Sequence, residues 1–191
     1  MPIDKQIETL DYYEQISRRL PHGCLRNQKR KLWGTRITYV AQSAAAAFNP
    51  AHRLLDQTIE STVRGKIKPE LEAKADAKKL YEELQLPEPN LIGDRYPHQV
   101  SGGQLQRVMT AMAMSARPDL IIFDEPTTAL DVTTQAEVLA SMRFIVEQYN
   151  TAAIYITHDL SVVAQMADDI KVLRYGEELS LIHISEPTRP Y

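Results

Sequence analysis

Two adjacent acidic residues, Asp124 and Glu125, directly follow the apolar run 120–123. A short continuous apolar run of this kind is typical of a strand buried on both faces of a parallel sheet. Because ligands bind at the carboxyl ends of such strands, both carboxylates are expected to reach a ligand crevice. One could hold Mg²⁺, usually through water, while the other orients and deprotonates an attacking water. Taken alone, the pair could equally be a cap that opens the next helix.

Three other polar features lie at a predicted strand end or helix start. Ser101-Gly102-Gly103-Gln104 precedes a predicted helix, so it offers backbone N–H groups, a hydroxyl and the positive end of the helix dipole to an anion. Gln42 and His158 each follow a predicted strand. Singly, an ordinary capped helix, a surface glutamine or a satisfied histidine would explain each feature. In combination with the acidic pair they predict a site for phosphate chemistry.

The elements that would position these groups alternate along the chain. Strands are predicted over 37–40, 120–123, 152–156 and 170–173, and helices over 104–116 and from 132 to about 149. Strand, helix, strand, helix, strand is typical of right-handed crossovers in a parallel sheet. Residues 51–86 are helical in composition and form a helical block that interrupts this α/β pattern. An amphipathic helix is also predicted before residue 21.

The composition describes one globular domain. The 191 residues are 43% hydrophobic and 25% charged, and the net charge of −3 gives no overall attraction to nucleic acid. Cys24 is the single cysteine, so an intrachain disulfide is excluded. No apolar run approaches the roughly 20 residues that span a bilayer. A cytosolic location is therefore expected, with any membrane association arising through a partner.

A phosphate-binding loop is not found in this sequence. The loop would read Gly, four residues, then Gly-Lys-Ser/Thr. Its nearest approach is Gly65-Lys66, which has Glu60 in place of the first glycine and Ile67 in place of the hydroxyl residue. The main grip on the β- and γ-phosphates is thus missing from these 191 residues.

Over roughly residues 34–178 the chain resembles the nucleotide-binding subunits of ATP-binding cassette (ABC) transporters. Residues 100–104 are similar to the signature motif of that family, 120–124 to its Walker B strand, and Glu125 to its catalytic glutamate. Ala129-Leu130-Asp131 resembles the D-loop. The resemblance implies an incomplete P-loop NTPase-like α/β fold, with a parallel sheet core and an inserted helical signature subdomain at about 45–117.

The resemblance also implies a role for each candidate residue. His158 matches the switch histidine, which would contact the γ-phosphate of ATP, and Gln42 matches the Q-loop glutamine. Asp124 and Gln42 would help to place Mg²⁺, and Glu125 would polarise the attacking water. Asp131 would belong to the nucleotide-binding residues.

The motif at 101–104 would act in trans. Ser101, Gly102, Gly103 and Gln104 would contact ATP bound to the opposite subunit of a head-to-tail dimer. The implied partners are a second nucleotide-binding subunit, transmembrane permease subunits and, indirectly, a solute-binding protein, without nucleic acid. The implied location is the cytoplasmic face of the cell membrane. Tyr96-Pro97-His98-Gln99 is most similar to the importers of peptides, opines and nickel, which favours a small solute such as a peptide or nickel complex.

Departures from the family limit what this chain is expected to do. Residues 1–33 align poorly, and Leu105 stands where an arginine or lysine is common. The tail 179–191 is similar to translated sequencing-adapter DNA, so the partial ABC ATPase domain is expected to be 1–178. The chain is interpreted as a fragment that hydrolyses ATP poorly alone. Two alternatives remain at this point, namely a non-transport ABC protein acting on nucleic acid or ribosomes, and a catalytically dead dimerisation module.

Overall fold

The computed structural model describes residues 32–175 and 177–183. The helix predicted before residue 21, the turn at Gly176 and the end of the tail lie outside these described residues. Within them, no helix is both long and apolar enough to cross a membrane.

Three parallel strands form the sheet that carries the candidate site. They are β1 (Ile37–Val40), β2 (Leu120–Asp124) and β3 (Ala152–Ile156), in the spatial order β1-β2-β3. Val40 pairs with Phe123, and Phe123 pairs with Tyr155. The parallel sheet predicted from alternating strands and helices is confirmed for these three strands. Since all three run the same way, the residues that follow them emerge at one edge.

The fourth predicted strand is placed differently. Strand β4 (Asp169–Arg174) pairs with β5 (Glu177–His183) in a separate two-stranded antiparallel sheet. Its prediction as a member of the parallel sheet is wrong: among the described strands β4 pairs only with β5, and the tight connection between them suits an antiparallel pair. Strand β5 also continues across residue 178, where the domain is predicted to end.

Helices cover one face of the parallel sheet and form the helical block. They are α1 (Ala44–Ala47), α2 (Leu54–Arg64), α3 (Glu70–Glu83), α4 (Gly102–Met114), α5 (Val132–Gln148) and α6 (Leu160–Met166). Short 3₁₀ turns occupy Ile92–Asp94 and Pro97–Gln99. Helix α4 begins two residues before its predicted start because Ser101 caps it directly.

The core lies between one face of the sheet and helices α4 and α5. Ile121 and Phe123 are fully buried on the sheet, as are Val108 of α4 and Met142 of α5. The ring of Phe123 stacks on that of Tyr155, with centroids 4.6 Å apart. Met109, on the same apolar face of α4, is also buried in this core.

The opposite face of the sheet is partly open to solvent. Side chains alternate across a strand, so the neighbours of buried positions point the other way. Tyr39 is 47% exposed, Ile154 39% and Ile156 49%. The described structure therefore carries an apolar surface on this face.

Polar side chains join the helical block to the end of α5. The Tyr149 hydroxyl, just after α5, donates to Glu83 Oε2 of α3 over 2.7 Å. The Arg117 guanidinium lies over the Tyr149 ring at 3.7 Å from its centroid and reaches Asp76 Oδ2 at 3.6 Å. These contacts cross from the chain segment after α4 to both α3 and α5, so they fix the block against the sheet layer.

Candidate functional site

Glu125 sits in a constrained turn at the end of β2. Its φ is +44°, a left-handed conformation that residues other than glycine rarely adopt. Its backbone N–H donates to the Ile156 carbonyl over 2.9 Å, which ties the turn to the end of β3. Such strain often marks a functional position, because the surrounding structure must hold it in place. The side chain is 26% exposed, so the carboxylate can still be reached from solvent.

Side chains following all three parallel strands contact the Glu125 carboxylate. Gln42 Nε2, beyond β1, donates to Oε2 over 2.9 Å. Thr128 Oγ1, three residues after Glu125, donates to the same oxygen over 3.2 Å. His158 Nδ1, beyond β3, lies 2.9 Å from Oε1 and donates when it carries the proton. The structure therefore brings Gln42, Glu125 and His158 into direct contact at one edge of the sheet.

Asp124 has a different partner from its neighbour. The Tyr39 hydroxyl of β1 donates to Asp124 Oδ2. This hydrogen bond to a carboxylate, followed by slight burial and the negative charge of Asp124, raises the pKa of Tyr39 above its usual value. Asp124 and Glu125 thus use separate sets of donors, as expected for adjacent residues that point in different directions.

Ser101 and Gln104 form a reciprocal cap at the start of α4. Ser101 Oγ accepts from the Gln104 N–H over 3.3 Å, and Gln104 Oε1 accepts from the Ser101 N–H over 3.0 Å. The predicted cap is confirmed, with an additional bond from the glutamine side chain. Ser101 and Gln104 are thus hydrogen-bonded to each other, and Ser101 is exposed to solvent.

The glycines of this motif have a packing role that the sequence reasoning missed. A Cβ added to Gly103 would lie 2.4 Å from Thr134 Cγ2 of α5, and one added to Gly102 would lie 3.5 Å from Leu130 Cδ2. Gly103 therefore permits a close approach between the first turns of α4 and α5. The sequence offers this pair only for approach to an anion. The helix at 132–149 is predicted as well, but spacing along the chain does not show that it packs against Gly103.

Asp131 caps α5 next to this contact between α4 and α5. Its Oδ1 accepts from the Thr134 N–H over 3.0 Å, and this backbone hydrogen bond lowers the pKa of the Asp131 carboxyl. Asp131, the Ser101–Gln104 cap and Thr134 thus form a second group of candidate residues around the starts of α4 and α5. We call Gln42, Glu125, Thr128 and His158 the Glu125 cluster. Among the described residues, no hydrogen bond joins this cluster to the second group.

Two side chains of the candidate site were not predicted from the sequence. Thr128 follows Glu125 by three residues, which is the spacing of a turn that returns to its start. Tyr39 precedes Gln42 by three residues inside β1, where it reads as an ordinary aromatic strand residue. The sequence therefore carries a weak signal for Thr128. It carries no signal that distinguishes Tyr39 from other aromatic residues in strands.

The donor atoms near Asp124 suit Mg²⁺ together with phosphate oxygens. In the described part of the chain, no group of three or more His, Cys, Asp or Glu residues could hold a metal by itself. Magnesium in nucleotide enzymes is bound through one or two carboxylates together with substrate phosphates, so such a group is not required. Asp124 Oδ1 accepts no hydrogen bond from any described residue, and Gln42 uses its nitrogen on Glu125, which leaves its amide oxygen available.

Comparison with known protein families shows to which family this chain belongs. A family model described as ABC transporter matches residues 9–128, more than half of the chain. The chain belongs to the ABC transporter family. The match begins well before residue 34, so part of the poorly aligned N-terminal segment also has counterparts among ABC transporters.

Individual ABC relatives match over most of this chain. The glutathione import ATP-binding protein GsiA of Salmonella choleraesuis (strain SC-B67) is 40% identical over 168 residues, which is 86% of this chain and 27% of the relative. GsiA of Escherichia coli (strain K12) is 38% identical with the same coverage. This chain therefore spans about a quarter of the length of these curated relatives.

Solved ABC structures share the fold. A dimeric bacterial ABC transporter cassette superposes with a TM-score of 0.70 at 25% identity and covers 88% of this chain and 69% of its own. A dimeric ATP-binding cassette in a post-hydrolysis state, bound to ADP and Pi, gives 0.67 at 23% identity, with 87% and 69% covered. The predicted α/β ABC ATPase fold is confirmed.

Proposed function

We propose that the chain is part of an ABC importer subunit that binds and hydrolyses ATP to drive uptake of a small solute. The observation that carries this proposal is the convergence of Gln42 and His158 on Glu125. Three parallel strands deliver one carboxylate, one amide and one imidazole to a single point. A carboxylate that can accept a proton, beside groups that can donate to phosphate oxygens, is suited to attack by water on a phosphoanhydride.

In the proposed reaction, Glu125 accepts a proton from water as the water oxygen attacks the γ-phosphorus. The bond between the γ-phosphorus and the bridging oxygen breaks, which leaves ADP and inorganic phosphate. In the structure, Glu125 Oε1 faces His158 and Oε2 accepts from Gln42 and Thr128. These donors keep the carboxylate oriented toward the edge of the sheet until water and phosphate replace some of their contacts.

Mg²⁺, when bound, would neutralise developing negative charge on the phosphate oxygens. Asp124, through its free oxygen, and Gln42, through its amide oxygen, are the residues proposed to hold the ion. Glu125 remains the proposed proton acceptor, because Gln42 and His158 hold its two oxygens at the carboxyl edge of the sheet.

We propose that Ser101, Gly102, Gly103 and Gln104 serve a second copy of the site. Their cap at the start of α4 makes no hydrogen bond to Gln42, Glu125 or His158 among the described contacts, and Asp131 caps the neighbouring helix α5. The two solved cassettes described above are dimers, which supports pairing with a second subunit, and we propose that this pairing is head-to-tail with ATP shared between the subunits. An opposite subunit would then supply the main grip on the phosphates.

The remaining assignments rest on the relatives. GsiA proteins are named for glutathione import and ATP binding, which supports a peptide-like or other small solute as the transported compound. Permease subunits, an indirectly acting solute-binding protein and a peripheral position on the cytoplasmic membrane face are proposed with it. For the domain boundaries we propose 1–178 with a helical subdomain at about 45–117, and we propose 179–191 as a non-native tail.

Equilibrium binding of Mg²⁺–ATP to the purified chain tests the proposed site. Asp124→Asn and Gln42→Ala should each weaken binding by about tenfold, because each removes a polar contact to a charged ligand. Gln148→Ala, at the exposed end of α5, is the matched control and should leave binding unchanged. Equal affinities in all four proteins would contradict the proposal.

Phosphate release tests the chemical step separately. These 191 residues carry no phosphate-binding loop, so their turnover should lie far below the roughly 1 to 100 per second of typical enzymes. Any slow release that remains should disappear in Glu125→Gln. Release that persists undiminished in Glu125→Gln would remove Glu125 from the proposed reaction.

A further inference from the structure

Tyr39 and Asp124 lie on the same face of the parallel sheet. In the β1–β2 register Tyr39 pairs with Ile122, and Asp124 is two residues further along β2. Side chains two residues apart on a strand share a face, and a diagonal neighbour at about 7 to 8 Å is within reach of an aromatic side chain. This geometry lets the Tyr39 hydroxyl bridge to Asp124 Oδ2 across the strand pair.

The bridge leaves the Asp124 carboxylate with one free oxygen. Oδ2 accepts the tyrosine hydroxyl, while no described residue donates to Oδ1. Tyr39 is 47% exposed and packs on the open face of the sheet, so its hydroxyl approaches from the solvent side. A cation that reaches Asp124 from the sheet edge therefore meets Oδ1 without competition, whereas at Oδ2 it competes with the tyrosine hydroxyl for the electron density of that oxygen.

We propose that Tyr39 determines the cation specificity of the site by keeping Asp124 from offering both oxygens to one ion. Ca²⁺ takes six to eight oxygen ligands and often binds a carboxylate through both oxygens, whereas Mg²⁺ prefers an octahedral set with single-oxygen contacts. Occupying Oδ2 thus disfavours Ca²⁺ more than Mg²⁺. This inference rests on the proposed function, because it assumes that Asp124 faces the metal that accompanies ATP.

Competition binding tests the inference without any activity measurement. Mn²⁺ is titrated into the chain together with a non-hydrolysable ATP analogue and followed by electron paramagnetic resonance, with the analogue alone as the blank, and Mg²⁺ and Ca²⁺ are then measured by their displacement of Mn²⁺. In Tyr39→Phe the ratio of Ca²⁺ to Mg²⁺ affinity should rise about threefold to tenfold, the size expected when one hydrogen bond is removed from a carboxylate. Tyr39→Met, which also lacks the hydroxyl, should shift the ratio in the same direction.

Two control variants make the outcome specific. Tyr175→Phe removes a hydroxyl from a side chain that is 94% exposed beyond β4, and it should leave the ratio unchanged. In an Asp124→Asn background, Tyr39→Phe should no longer change the ratio. An unchanged ratio in both Tyr39 variants, or the absence of Mn²⁺ binding to the unmodified chain, overturns the inference. Mg²⁺–ATP binding measured on the same samples then shows whether the proposed function fails with it.

Discussion

Gly103 allows the first turns of α4 and α5 to touch. An added Cβ would lie 2.4 Å from Thr134 Cγ2, well inside normal contact distance. Gly103→Ala should therefore lower the free energy of unfolding by about 1 to 3 kcal/mol through overpacking. Urea denaturation measures this loss.

Gly102→Ala is the matched control, since its Cβ would meet Leu130 Cδ2 at an ordinary 3.5 Å. It should cost much less than Gly103→Ala. Adding Thr134→Ser to Gly103→Ala removes the clashing methyl group and should recover part of the loss. Equal losses for the two alanine variants would show that the contact with Thr134 does not govern Gly103.

The Asp131 cap predicts a pH dependence of stability. The hydrogen bond from the Thr134 N–H lowers the folded-state pKa of Asp131 below its ordinary value of 3.8. A lowered folded pKa stabilises the fold fully above the unfolded value, and this contribution is lost as pH falls through the folded pKa. The extra stability of the parent over Asp131→Asn, which can still cap but does not titrate, should therefore be constant above about pH 5 and shrink below 3.8.

Urea midpoints of the two proteins, measured between pH 3 and 7, check this prediction of a charge-dependent cap. Asp131→Ala, which removes both the charge and the acceptor, should be less stable than Asp131→Asn across the whole range. Parallel pH profiles for the parent and Asp131→Asn would contradict a role for the Asp131 charge.

At the scale of elements, Tyr149 links α5 to α3. Its hydroxyl donates to Glu83, and its ring lies under the Arg117 guanidinium. Tyr149→Phe keeps the ring and removes the hydrogen bond, so unfolding should become easier by about 1 kcal/mol. Tyr175→Phe, far more exposed, should change the free energy of unfolding by less than about 0.5 kcal/mol. Urea denaturation distinguishes the two, and equal effects would argue against this link.

Local signals predicted most of the elements. β-Branched and apolar runs marked β1, β2 and β3, and Ser101 was recognisable as the cap of α4. The partner of β4 was not predictable in this way. Its pairing with β5 depends on which strand folds back onto it, and a strand pattern carries no information about its neighbour.

The candidate site was predictable in part for the same reason. Parallel strands place their following residues at one edge, so Gln42, Glu125 and His158 could be expected near each other. The contact between Tyr39 and Asp124 depends on the register of β1 against β2. The close packing of Gly103 against Thr134 depends on how α4 approaches α5. Both require tertiary geometry that spacing along one chain does not provide.

At the scale of the whole molecule, the exposed apolar face of the sheet should promote self-association of the described domain. Ile154 and Ile156 are 39% and 49% exposed beside Tyr39. Replacing both isoleucines with threonine keeps β-branched side chains, so the free energy of unfolding should change by less than about 1 kcal/mol. Binding of the dye ANS and light scattering should both fall, because apolar surface is lost.

Ile121→Thr is the control for the covered face. Ile121 is fully buried against the helices, so a hydroxyl there would lack a partner and should destabilise the fold by about 1 to 3 kcal/mol. If the parent chain already binds no ANS and remains monomeric at high concentration, the apolar face is covered in solution.

The hydrogen bonds of Glu125 form only when the three parallel strands are aligned in their native register. Its carboxylate is held by residues that follow β1, β2 and β3 in turn, at 2.9 to 3.2 Å. A slip of one residue in any strand would displace a donor by about 3.3 Å and break its bond. A misfolded or partly paired chain would thus leave Glu125 misdirected, and the hydrolysis proposed above would be confined to molecules whose strands have reached their final register.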